Sequence, residues 1–88
     1  MLFVTSKDNS NVKKAVKLKS SAKERRKSGL FLAEGLRICM DAVFSGAEIQ
    51  TLFVTEKAMQ KHGEDFALLE EKAKNVICLN ENIFALMS

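Results

Sequence analysis

The hydrophobic positions fall into short blocks whose spacing changes along the chain, and each spacing points to an element. Between Ser10 and Lys19, Val12, Ala15 and Val16 recur at helical intervals among lysines, which predicts a helix with a narrow inner stripe. Asn9 precedes it as an N-cap, able to accept from the free amides of the first turn. Ser20-Ser21-Ala22 is a weak break, after which Lys23 to Lys27 continues helically and stops at Ser28-Gly29. Leu30-Phe31-Leu32-Ala33 is apolar at every position and reads as a short strand buried on both faces. Glu34-Gly35 turns the chain. A helix is expected from Leu36 to Ser45, with Ile38, Cys39, Ala42 and Val43 on one face and Gly46 in the left-handed C-terminal position.

Ile49 to Val54 is the next expected strand, and Thr55 caps a helical turn with Glu56 in its dipole-favoured first turn. His62-Gly63 interrupts, and a helical piece follows over 65–74 with Phe66, Leu69 and Ala73 inward. Val76 to Leu79 is a third strand, and Asn80 caps a last helix from Glu81 to Met87 whose Ile83, Phe84 and Met87 need a covering surface. Strands alternating with helices predict an α/β fold: a small three-layer α/β/α sandwich on a mainly parallel sheet, preceded by a basic N-terminal helical arm. The expected organisation is one domain over 1–88, with the arm at 1–28 and the α/β core at 29–88.

Length and composition narrow the function classes. Eighty-eight residues hold one compact domain and leave no room for a full catalytic domain with a cofactor pocket. The longest apolar run, Ile83 to Met87, is far too short to span a membrane, and Met1-Leu2-Phe3-Val4 is too short for a signal peptide. Cys39 and Cys78 lack metal-ligand spacing and read as reduced core thiols, so a cytoplasmic protein without a metal is expected. The chain stops one residue after an apolar turn, and a longer protein is expected to continue beyond it.

The charge is lopsided. From Lys7 to Lys27, nine basic residues face two acids, a net +7, whereas the remaining residues carry five basic groups and nine acids, a net −4. Such a block is the electrostatic footprint for a polyanion, because each phosphate neutralised releases condensed counterions. It is favoured over a merely solvated helix face, and the absence of a Trp, Phe or Leu stripe in the block argues against a membrane surface.

Several of these pieces occur together in a known order. Thr5-Ser6-Lys7-Asp8-Asn9, Val12-Lys13, the basic Arg25-Arg26-Lys27, then Gly29-Leu30-Phe31-Leu32-Ala33-Glu34-Gly35-Leu36-Arg37, and later Ser45-Gly46-Ala47-Glu48-Ile49 and Leu52-Phe53-Val54-Thr55, resemble the N-terminal substrate-binding domain of SpoU-type (TrmH-like) RNA ribose 2′-O-methyltransferases. The resemblance covers nearly the whole chain, with Ser10 standing where the family usually has proline. It implies a fold similar to kink-turn-binding ribosomal proteins and an RNA partner, rRNA or tRNA. It also implies a following knotted domain that binds S-adenosylmethionine and dimerises, so that this chain itself carries no catalytic residue and no cofactor. Carried over residue by residue, Lys7, Lys13, Lys17, Lys19, Arg25, Arg26 and Lys27 would contact phosphates, the arginines as planar forks and the lysines as point charges. Gly35, with the start of the following helix, and Arg37 beside it would form a second contact surface.

Other residues read more plainly. Glu34 is expected to order Arg37 or an arm arginine, since a carboxylate repels phosphate. The six phenylalanines are expected in the core rather than as base-stacking platforms. His62 reads as an exposed loop residue, and Glu64, Asp65, Glu70 and Glu71 as a solvated helix face. Two other functions remain open at this point: a stand-alone RNA-binding protein of ribosomal type, and a protein-interaction module marked by an apolar patch at Ile83, Phe84 and Met87.

Overall fold

A central strand of seven residues organises the molecule. In the computed structural model, which describes residues 1–88, β3 (Ala73–Leu79) lies between β1 (Leu2–Val4) and β2 (Ile49–Val54), parallel to both. Leu2, Phe3 and Val4 stand opposite Ile77, Cys78 and Leu79, while Phe53 and Val54 stand opposite Ile77 and Cys78 from the other side. A parallel sheet of this kind must be covered on both faces, and the period of two along β3 divides its side chains accordingly. Ile77 and Leu79 join Val4, Val12, Ala15, Ile83 and Met87 in one core cluster. Cys78 joins Leu52, Val54 and Leu69 in the other. Helices α1 (Ser10–Ser20) and α6 (Glu81–Met87) close the first face; α3 (Leu36–Phe44), α4 (Glu56–Lys61) and α5 (Gly63–Lys72) close the second. Between α1 and α3, α2 (Ala22–Ser28) and the segment 30–34 carry the chain from one face to the other.

The three-layer α/β arrangement is therefore present, with particular differences from the sequence expectation. Leu30–Ala33 forms no strand; the third strand is Leu2–Val4. The run is held between Gly29 and Gly35, both at positive φ (71° and 103°), and only Leu32 among its large side chains packs against a core cluster. Its unbroken hydrophobicity thus reflects one anchoring residue and an exposed Phe31, not burial on two sides. The helix α5 ends at Lys72, so Ala73 opens β3 instead of closing a helix.

Inner faces shift by a residue or two. In α1, Val12, Ala15 and Leu18 are buried, while Val16 is 39% exposed, because the i, i+3, i+6 row faces the sheet. In α3, Leu36 and Met40 pack beside Cys39 and Val43, and Ile38 points to solvent. Ile83 and Met87 are buried beneath α1 and β1 and Phe84 packs beside them, so they form no exposed patch. The boundary expected at 28/29 is not a packing boundary. Val4, Val12 and Ala15, from the expected arm, belong to the same cluster as the last strand and helix. Burial of Val12, Val54 or Leu69, among the least exposed side chains, contributes about 1.5–3 kcal/mol each by area.

Caps explain where the helices begin. Asn9 Oδ1 accepts from the amides of Asn11 (2.9 Å) and Val12 (3.4 Å), Thr55 Oγ1 from Ala58 (3.2 Å) and Asn80 Oδ1 from Ile83 (2.8 Å). All three cap positions were legible as such, and each satisfies amides that a helix leaves unpaired.

Candidate nucleic-acid interface

The basic segment becomes a surface through the corner between α1 and α2. Ser21 ends one helix and starts the next: its amide donates to Lys17 O (2.9 Å) and its Oγ accepts from the Glu24 amide (3.2 Å). Arg25 reaches back over this corner, its Nη1 donating to the carbonyls of Leu18 (2.7 Å) and Lys19 (3.1 Å). These are C-terminal carbonyls that α1 itself leaves without amide partners, at the negative end of its dipole. Arg25 therefore locks the corner, a structural duty the sequence reading as a plain phosphate contact did not include.

The other cations are placed differently. Lys13 and Lys17, one turn apart, lie on the side of α1 opposite Val12, Ala15 and Leu18, and both are exposed. Lys7 in the β1–α1 turn, and Arg26 and Lys27 on α2, are exposed as well. Within 4.0 Å the structure has one ion pair, Lys74 with Glu48, on a different part of the chain. No cation of the basic segment is neutralised by an acid of its own, and the expected pairing of Glu34 with Arg37 or an arm arginine does not occur.

Gly35 sits at φ 103°, ψ 138° at the start of α3, where no side chain accepts from the first-turn amides. A residue with a Cβ is strained there by its backbone, although the space around the position is open. Arg37 is exposed on the first turn. A shallow hollow of about 270 Å3 joins the corner to this turn, lined by Leu18, Lys19, Arg25, Phe31, Leu32 and Glu34. So Lys19 and Arg25 are brought to the residue preceding Gly35. Lys7, Lys13, Lys17, Arg26, Lys27 and Arg37 do not line this hollow.

Phe31 and Glu34 are the lining residues that the sequence reading assigned elsewhere. Phe31 is 66% exposed, as are Phe3 and Phe44 in comparable measure, which overturns the expectation of six core phenylalanines. The available signal was the pair of glycines at 29 and 35, which brackets a loop more naturally than a strand.

A larger hollow, about 490 Å3, opens at the C-terminal ends of the three strands. Its polar wall includes Thr55 and Asn80, already engaged as caps, and Glu56 and Glu81 against Lys57. That balance does not suit a polyanion. Cys78 forms part of this wall, and burial pushes its thiol above the ordinary range, the Glu56 carboxylate adding to the rise and a backbone hydrogen bond at Glu56 opposing it. Burial likewise raises Cys39, whose Sγ donates to Ala33 O (3.7 Å). Both cysteines are free. No group of three or more His, Cys, Asp or Glu is gathered as a metal site, and no helix is long and apolar enough to cross a membrane.

No curated protein matches the chain. A family profile does: MRM3-like substrate binding domain, over residues 9–88, which takes in α1, the basic corner, the Gly35 turn and everything after them. The chain belongs to the MRM3-like substrate binding domain family, in keeping with the N-terminal substrate-binding domain of SpoU-type 2′-O-methyltransferases.

Proposed function

We propose that this domain holds RNA, through the cations of α1 and α2, for a SAM-dependent ribose 2′-O-methyltransferase acting on rRNA or tRNA. The observation that carries the reading is the unpaired basic segment: a net +7 over 21 residues, free of internal ion pairs, in a chain of this family. Exposed lysines and arginines engage phosphate without sequence preference, so recognition rests on shape, phosphate and ribose hydroxyls. The catalytic domain, joined after this one and dimerising, supplies S-adenosylmethionine and the methyl transfer; this chain supplies grip and orientation. The interaction-module reading loses its mark, since Ile83 and Met87 are covered.

Binding of a single-stranded RNA across a salt series tests the reading. Engagement of about five phosphates gives a slope of log affinity against log salt of roughly −3.5. A flat series removes the electrostatic basis of the proposal.

A further inference from the structure

The hollow beside Gly35 has a composition that phosphate contact alone does not use. Its rim carries an aromatic ring, Phe31, 66% exposed. Leu32 packs against the first core cluster, and the loop ends at glycines in positive-φ conformations. Leu18, buried in α1, contributes to the lining, and Arg25 is fixed by its bonds to Leu18 O and Lys19 O. At about 270 Å3 the hollow falls just below the range of roughly 300–1,000 Å3 typical for drug-sized ligands, which leaves space for one flat group. Glu34 lines the same hollow and has no cation within 4.0 Å. An ionised carboxylate only accepts hydrogen bonds, so among phosphates it is repulsive, whereas towards an amino group it is complementary.

We propose that this hollow receives one unpaired nucleobase of the bound RNA, stacked on Phe31, with Glu34 accepting from an amino group on the base edge and Lys19 and Arg25 neutralising the flanking phosphates. The inference rests on the RNA-binding reading above and adds a specificity to it. Every base has a π-face for the ring. Adenine, cytosine and guanine each carry an exocyclic amino group, while uracil offers two carbonyls and one imino donor, so Glu34 selects against uridine.

The test uses a stem-loop RNA with one unpaired nucleotide, varied among adenosine, cytidine, guanosine, uridine and an abasic residue. Phe31→Ala should weaken binding of the base-bearing RNAs by about 5- to 100-fold and leave the abasic RNA unchanged. Phe31→Leu, which keeps apolar bulk without a π-face, should lose most of the same factor. Glu34→Gln, which both donates and accepts, should bring uridine level with the other bases. Placing 2-aminopurine at the unpaired position gives a direct readout: its fluorescence is quenched on binding the wild-type domain and not on binding Phe31→Ala. The chain has no Trp or Tyr to interfere. Equal losses for abasic and base-bearing RNA, or no loss at all, overturn the stacking site while salt-dependent binding persists. Unquenched fluorescence with the wild-type domain bound does the same. Salt-independent binding by the wild type overturns the parent reading instead.

Discussion

The two hollows described above differ in size and in what their side chains are free to do. The crevice at the strand ends is the larger, yet Thr55 and Asn80 are spent on capping α4 and α6, and Glu56 and Glu81 sit in first turns where the helix dipole favours them. Its polar groups serve the fold. Among the cations of the basic corner Arg25 alone is spent in that way, and the others have no ion-pair partner. Volume alone points to the crevice; uncommitted charge points to the corner, where RNA binding is proposed.

The sharpest way to break this contrast is to reverse charge in each place. Lys13, Lys17, Arg26 and Lys27 changed together to Glu should lower RNA affinity at low salt on the order of 10³-fold and bring the salt slope towards zero. The melting temperature should stay nearly unchanged, because all four side chains are exposed. Lys57→Glu in the crevice wall should leave affinity within about twofold in filter binding. Equal effects from the two variants would erase the distinction.

A smaller effect separates structural from free arginine. Arg25→Ala should destabilise the domain by about 1–2 kcal/mol in urea unfolding, since carbonyls at the end of α1 lose a charged donor and the site is half-exposed. Arg26→Ala should stay within about 0.5 kcal/mol while weakening RNA binding. A stable Arg25→Ala protein would return that residue to the set of plain phosphate contacts.

The smallest effect belongs to the crevice. The Cys78 thiol is raised above its ordinary value of 9.0, so the folded chain keeps a proton that the unfolded chain has released. Its contribution to stability is complete below pH 9.0 and declines as pH rises further, as the folded state then binds more protons than the unfolded one. Between pH 8 and 10 the wild type should lose more stability than Cys78→Ala, with urea midpoints as the measure.

Much of the architecture could be read from residue patterns, for local reasons. Asn9, Thr55 and Asn80 act through their own helix amides, and Gly46 takes the left-handed position expected after α3. Where the reading failed, a distant partner decided. Leu2–Val4 is too short to announce itself as a strand and becomes one only because Ile77–Leu79 offers an edge. Leu30–Ala33 looks like a strand but finds no pairing. The cations were legible as a block, because charge needs no neighbour to be counted. That Arg25 turns inward, and that Phe31 and Glu34 share a hollow with Lys19, depends on how α2 folds back on α1, which spacing along the chain does not encode.

The seat of α1 combines the beginning of the chain with its end: Val4 on one side, and Ile77, Leu79, Ile83 and Met87 on the other. During synthesis, the lysine-rich helix emerges long before the residues that hold it. A nascent chain halted short of Ile77 would carry the positive charge as a loose peptide, able to attract RNA but with no fixed geometry to present it. The proposed RNA surface therefore takes its fixed geometry only once the last strand and helix have been made.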